Sequence, residues 1–245
     1  MKNAFTLVEL LVVIAVIAIV AGLLFPALND AKGRAERTVC ANNLRQIGVG
    51  IRMYCDDSSD SSPAGKVPWI AYKELMKNYV GLRGKSSAND RIFTCPADTF
   101  CYEMARGANG YYNVWTNYSR GLHEFRGYDY SSYSFNGFNA HTADNPQQAS
   151  WRGIAQKRLG SIRQPAKTVL VGETAAFIPY SWHQPRKPIQ LGPGQCPMFP
   201  DARDVLCFVD GHVNYTRIYY SDNPGNLFAV FYDPPDGYDY KWSGD

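Results

Sequence analysis

The sequence predicts an α+β protein, one long N-terminal α-helix joined to a loop-rich, β-containing head. Three observations carry that reading. From Phe5 to Phe25 the chain is apolar, broken by a single charge at Glu9. Up to residue 57 it continues with apolar and charged residues at helical spacing. Beyond residue 60 the character changes. Most of the 17 Tyr, 21 Gly and 15 Pro lie there, and strand-length apolar runs alternate with turn residues.

The totals set bounds. A chain of 245 residues, 45% of them hydrophobic, is long enough to bury a substantial core. Its net charge is +3, its basic residues are scattered, and no aromatic-interleaved basic stripe appears, so nucleic acid is not an expected partner. Six Cys are present without a C-x-x-C pair, so the spacing offers no zinc motif. If the head lies outside the cytoplasm, disulfides become the default reading of some of these Cys.

The 21 residues from Phe5 to Phe25 span roughly 31 Å as a helix, about one hydrocarbon thickness. An acid inside such a segment costs about 2.5–3.5 kcal/mol on insertion scales and is read as functional by default. Glu9 has no basic residue between Ala4 and Pro26 to pair with. A secretory signal is too short to account for the segment, and a plain membrane anchor leaves the acid unexplained. A third reading has Glu9 reaching the membrane interface near the helix start, where an acid suits the dipole. Charge flanks do not fix orientation. Lys2 stands alone before the span, and Lys32, Arg34 and Arg37 follow it.

The run "AFTLVELLVVIAVIAIVAGLLFP" resembles the prepilin-type N-terminus of type IV pilins and type II secretion pseudopilins. The resemblance implies a leader of residues 1–4, cleavage by prepilin peptidase between Ala4 and Phe5, and N-methylation of the new terminus. It also implies that Glu9 is the assembly acid and Pro26 the helix proline. Where the family has Gly before the cut, this chain has Ala4. The cationic amine released at Phe5 supplies the partner Glu9 lacks. In a filament it would meet the Glu9 carboxylate of a neighbouring subunit inside an apolar bundle. The family arrangement also implies that the second half of the helix packs on an antiparallel sheet.

The elements follow in order. Ala27, Ala31, Ala35, Val39, Asn42 and Ile47, with Leu44 and Ile51, make an imperfect apolar stripe, and the helix is expected to end near Cys55–Asp57. "CANNLRQIGVGIRMYCDD" resembles the segment after the span in a subgroup of large pilin-like proteins with a C-terminal DG motif. Residues 58–66 read as a loop. "WIAYKELMKNYVG" has helical spacing with Gly81 at its end, and "RIFTCPADTF" reads as a short strand running into a turn. Residues 107–145 read as loops with short edge strands. A strand follows near Lys167–Glu173. "DVLCFVDGHVNYTRI" reads as a hairpin with a two-residue Asp210-Gly211 turn. Leu227 to Tyr232 offers a last strand before an acidic, turn-prone tail. "FVDGHV" again resembles the subgroup motif, which carries a His nine residues before its Asp-Gly. Here the corresponding position, with nine residues between it and Asp210, is Pro200, so no role of that His transfers.

No nucleophile or metalloprotease motif is present, and a non-enzymatic protein is expected. His123, His141, His183 and His212 are dispersed, with His212 read as a turn neighbour. Asp56, Asp57 and Asp60 read as a capping loop without the Gly of a Ca²⁺ loop. No cofactor is expected. The one metal candidate is Ca²⁺ at the tail acids Asp233, Asp236 and Asp239, by likeness to some pseudopilin heads. Cys40 and Cys55, 15 residues apart, would lie roughly 22 Å apart on one helix, beyond disulfide reach. Cys95 with Cys101, Cys196 with Cys207, or either helix Cys with the head all remain open.

The sequence thus describes a leader (1–4), a membrane and spine helix (5–57) and an extracytoplasmic head (58–245). The expected role is that of a structural subunit, a minor one given the size of the head, of a type IV pilus or type II secretion pseudopilus. Expected partners are prepilin peptidase, other pilin or pseudopilin subunits and the inner-membrane assembly platform. The expected location is a single-pass inner-membrane state and then an extracytoplasmic filament. The alternative is a membrane-anchored exported binding protein that does not polymerise.

Overall fold

The computed structural model describes residues 6–64, 68–99, 101–106, 112–118, 120–139, 152–177, 180–183, 199–220 and 232–245. Helix α1 runs unbroken from Leu7 to Asp57, with Pro26 inside it. Proline removes the hydrogen bond to the carbonyl four residues back, here that of Gly22, whose side-chain position has no neighbour within 4 Å. At the other end Ser59 and Asp60 adopt positive φ (57° and 62°), and the amides of Ser58 and Asp60 both return to the Cys55 carbonyl.

The helix divides into two parts by what it touches. Its first buried side chain is Cys40, and the buried face then reads Cys40, Asn43, Leu44, Ile47, Gly48, Gly50, Ile51 and Cys55. The expected stripe is therefore corrected over its first half. Ala27, Ala31, Ala35 and Val39 are exposed, because nothing in the described head covers them, and Asn42 is exposed as well, its neighbour Asn43 taking the buried position. Leu7 to Val39 spans about 50 Å of helix with apolar side chains facing outward, among them Leu7, Leu23 and Phe25.

The head is built on a four-stranded antiparallel sheet in the order β3-β4-β5-β6. These strands are β3 (Tyr133–Phe135), β4 (Val169–Glu173), β5 (Arg203–Phe208) and β6 (Val213–Arg217). A separate antiparallel hairpin pairs β1 (Cys101–Arg106) with β2 (Tyr112–Tyr118). Helix α2 (Pro68–Met76) continues as a 3-10 turn to Val80 and stops at Gly81 in the left-handed region, as its spacing predicts. The segment "RIF", expected as a strand, is instead a 3-10 turn over Arg91–Phe93. Its apolar spacing covers three residues, of which Phe93 alone is fully buried.

Both faces of the sheet are covered, by different parts of the chain. Val205 and Cys207 of β5 face the cluster containing Leu44, Ile47 and Ile51 of α1. Leu206 and Phe208 face a second cluster with Phe177, Ile218, Tyr240 and Trp242. The tail is thus core as well as turn. Lys241 exchanges backbone hydrogen bonds with Lys167 and Val169, and Asn136 Nδ2 donates to the carbonyls of Val169 and Trp242, both at 2.8 Å. In β4 the register with β5 shifts between Val169 and Val171, a bulge that lets Val169 face one cluster and Leu170 and Val171 the other.

The β5–β6 hairpin forms where the sequence places it, but its turn differs. Phe208 N donates to His212 O and Gly211 N to Phe208 O, a three-residue connection in which Gly211 alone has positive φ, 96°. The Arg52 guanidinium donates to the Val209 carbonyl, and that contact fixes the tip against α1. Residues 227–231 of the expected last strand lie outside the described residues.

One close approach sets the helix-to-sheet distance. A Cβ at Gly48 would lie 2.7 Å from Cys207 Sγ. Gly48→Ala is expected to lower the stability of the full chain by about 1–2 kcal/mol, overpacking outweighing the helix-propensity gain. Thermal unfolding in detergent checks this. The double variant Gly48→Ala/Cys207→Ala should recover most of the loss, and Gly33→Ala, at a position with no neighbour within 4 Å, should not lower the midpoint.

Candidate functional site

Two places along α1 hold polar groups with specific partners, its N-terminal start and the point where it enters the head. The first is the start of α1. Thr6 caps the helix, and its hydroxyl accepts from Glu9 N at 3.2 Å. The Glu9 carboxylate accepts in return from Thr6 N at 2.8 Å and from the Thr6 hydroxyl at 2.7 Å. This reciprocal capping box gives Glu9 a local partner that the search for a basic residue overlooks. The "T-L-V-E" spacing carries its signal in the sequence. The box satisfies hydrogen bonds, and among the described residues no counter-charge meets the carboxylate. Ala4 and Phe5 lie outside the described residues, and Pro26 sits exposed in the helix.

The second place is buried where α1 enters the head. Cys40 on α1 forms a disulfide with Cys95, Cα–Cα 5.3 Å. Of the open pairings, the helix-to-head staple is the one made, and Cys95 does not pair with Cys101. Cys207 is a buried free thiol, as is Cys55, so the Cys196–Cys207 pairing is also not made. Burial first of all raises both thiols to about 12, which keeps them unreactive. Beside the disulfide lie Glu173, the last residue of β4, and His183, ten residues further along the chain. Cys95 Sγ is 3.2 Å from Glu173 Oε1 and 3.7 Å from His183 Nε2. Glu173 Oε1 and His183 Nε2 are 2.7 Å apart. The second oxygen of Glu173 accepts from Val205 N at 2.8 Å, holding the carboxylate in place. Neither Glu173 nor His183 stands out in the sequence. Their signal is an acid closing an otherwise apolar strand whose five positions are all buried.

Around this cluster the loops are pinned by buried polar groups. Asp98 accepts from Leu122 N, His123 N and the Ser132 hydroxyl. Lys73 is fully buried and pairs with Asp90 at 3.0 Å. It also donates to the carbonyls of Asp129 and Tyr130, two residues held at positive φ. Burial pushes the Lys73 ammonium down, against the opposing pull of Asp90.

The remaining candidates have structural partners. His123 Nδ1 lies 3.1 Å from Asp98, and His141 falls outside the described residues. His212 stacks on Phe208 and pairs with Asp210 at 2.6 Å, which fits a turn neighbour. Asp57 accepts from the Tyr79 hydroxyl and Asp60 from Gly160 N. Asp233 accepts from Trp242 N, Ser243 N and the Ser243 hydroxyl, whereas Asp236 and Asp239 are exposed. Among the described residues, the three tail acids do not gather their oxygens into one metal-sized group. Cys40, Cys95, Glu173 and His183 do gather theirs.

The buried groups can be tested one at a time. The Cys40–Cys95 bond closes a separation of 55 residues, worth about 4 kcal/mol on the chain-entropy model. Cys40→Ser in the oxidised chain should therefore lower the urea midpoint by an amount equivalent to about 2–4 kcal/mol. Asp204 is a different case, fully buried on β5, and neither carboxylate oxygen has a hydrogen-bond partner among the described residues. Burial, and then the charge of Glu173, hold its carboxyl well above the usual range. The folded chain thus keeps a proton that the unfolded chain loses. The stability this confers is complete below about pH 4 and is lost as pH rises toward the folded pKa. Asp204→Asn should raise the unfolding midpoint at neutral pH, by about 1–3 kcal/mol in stability, and flatten its decline above pH 4.

The comparison with protein families meets this geometry at its N-terminal end. The family model described as the prokaryotic N-terminal methylation motif matches residues 1–25. The chain is similar to the type IV wide pilus major component PilA4 of Thermus thermophilus. The two are 38% identical over 92 residues, which cover 36% of this chain and 70% of that protein. No solved structure matches. With a methylation motif on a bare apolar helix, a helix-on-antiparallel-sheet head and this relative, the chain belongs to the type IV pilin family.

Proposed function

We propose that the chain is a minor subunit of a type IV pilus or a type II secretion pseudopilus, cut between Ala4 and Phe5 by prepilin peptidase and assembled through the first half of α1. Residues 1–4 are then the leader, 5–57 the membrane and filament helix, and 58–245 the exported head. One observation carries the reading. The apolar stretch of α1 from Leu7 to Leu28 buries nothing against its own head, and its sole charge, Glu9, sits at the end that cleavage would expose. Such a surface is stable in a bilayer, and it is stable again in a bundle of similar helices. The inner membrane holds the subunits, and the assembly platform moves them into the filament.

The Glu9 carboxylate has hydrogen bonds but no counter-charge among the described residues. In a filament core, the amine at Phe5 of a neighbouring subunit provides one. Breaking such a buried pair costs about 3–5 kcal/mol, enough to fix the axial register of each added subunit. The bulk of the head supports a minor or tip position, because each copy in a shaft must find room for it.

Glu9→Gln separates capping from charge pairing, since the amide oxygen still accepts hydrogen bonds from Thr6. Glu9→Gln is expected to leave the membrane level of the protein unchanged and to reduce its amount in sheared filaments at least about tenfold, the loss expected for an unpaired buried charge. Mass spectrometry of the terminal peptide from wild-type membranes should find a methylated Phe5. A chain that begins at Met1 and tolerates Glu9→Gln is instead a static anchor for an exported binding head.

A further inference from the structure

We propose that the buried group under the root of α1 is a zinc site when Cys40 and Cys95 are thiols. Cys40, Cys95, Glu173 and His183 bring four ligand atoms within 4.8 Å of one another. They come from α1, the turn after Arg91–Phe93, the end of β4 and the segment beyond it. All four residues are buried.

The donor set selects the metal. Two thiolates, one imidazole and one carboxylate suit Zn²⁺ and do not suit Mg²⁺ or Ca²⁺, which take oxygen ligands. Tetrahedral Zn²⁺ with bonds of about 2.3 Å to sulfur and 2.0 Å to nitrogen or oxygen needs S···N and S···O edges of about 3.5 Å and an N···O edge of about 3.3 Å. The corresponding separations are 3.7, 3.2 and 2.7 Å. The two sulfurs would stand about 3.8 Å apart on zinc, and side chains from Cα atoms 5.3 Å apart reach that separation by rotation. Four protein ligands leave no open position, so the site is structural.

Electrostatics favours the same occupant. Among the described residues, the ion-pair partner of Glu173 is His183, and no Lys or Arg is paired with it. A divalent cation supplies the positive charge that a buried carboxylate and two thiolates require. His183 would give its Nε2 lone pair to the metal and keep its proton on Nδ1, which is buried and has no hydrogen-bond partner among the described residues.

The redox step conserves electrons and protons. A dithiol reductant gives two electrons and two protons to the Cys40–Cys95 disulfide, producing two thiols, and itself becomes a disulfide. Zn²⁺ then displaces the two thiol protons to solvent. The helix is tied to the head in both states, by an S–S bond in one and by an S–Zn–S bridge in the other.

The test uses the full chain in detergent micelles, reduced with a dithiol that is then removed without oxygen, and titrated with Co²⁺ and Zn²⁺. The expected result is one Co²⁺ per chain with tetrahedral d–d bands and thiolate charge-transfer absorption, displaced by one equivalent of Zn²⁺. His183→Ala and Glu173→Gln should each weaken binding at least about tenfold, and Cys55→Ser/Cys207→Ser should not alter the spectrum. X-ray absorption of the wild-type zinc form, which depends on no variant, should fit two sulfur and two nitrogen or oxygen neighbours. The proposal is overturned by a pair that resists reduction in the folded chain, or by a reduced chain that takes up no stoichiometric metal. It is equally overturned by a metal environment without two sulfurs, by full affinity in His183→Ala and Glu173→Gln, or by loss of the spectrum in Cys55→Ser/Cys207→Ser.

Discussion

The packing of residues 40–55 of α1 into the sheet is the constraint on which the rest of the molecule depends. A helix of 51 residues is not positioned by its own hydrogen bonds, and its place in a fold comes from tertiary packing. Here the last third of its length is held by Leu44, Ile47 and Ile51 on the sheet, and Gly48 allows the close approach to Cys207. Arg52 reaches the hairpin tip and Asn43 the Thr94 carbonyl. The other side of the sheet then has to be covered as well. The tail does this with Tyr240 and Trp242, so the last third of α1 and the tail lie on opposite sides of β4 and β5. Because both faces are taken up by the fold, the apolar half of α1 finds no place inside the molecule.

This division explains why the two polar places differ in kind. Glu9 is satisfied locally, by a capping box of the kind that soluble helices use, and its charge has no ion-pair partner among the described residues. Glu173 is satisfied within the head, by Val205 N and His183. A negative group at the end of a bare helix suits assembly. One held inside a dry cluster with two sulfurs and an imidazole suits cross-linking. The geometry therefore keeps recognition and internal cohesion at different points along the same helix.

The long helix, the hairpin and the strand at Lys167–Glu173 are legible in the sequence because each rests on a local signal: apolar continuity, Asp-Gly punctuation, a short β-branched run. The stripe through Ala27 to Val39 misleads for a physical reason. Small apolar residues mark a contact face only where something packs against them, and burial begins at Cys40. Arg91–Phe93 reads wrongly as a strand because three residues carry too little pattern to separate a strand from a 3-10 turn. The buried roles of Tyr240 and Trp242 are hidden by the Pro, Gly and Asp around them. The cluster of Cys40, Cys95, Glu173 and His183 has no sequence spacing at all. Its members are gathered only by the sheet and the helix together, so a search for C-x-x-C pairs passes over it.

The position of that cluster has a mechanical consequence. Any load carried along the bare half of α1 enters the head at the first buried turn, which is the turn of Cys40. Noncovalent contacts farther along, from Leu44 to Cys55, share such a load only after the helix has been pulled against them. A covalent or metal-bridged tie at Cys40 takes it first and passes it to Cys95, whose backbone amide donates to the Ser132 hydroxyl. Asp98 beside it pins the loop at Leu122 and His123. The disulfide thus connects the helix to the turn after Arg91–Phe93, so that the helix root is secured through two routes rather than through β5 alone.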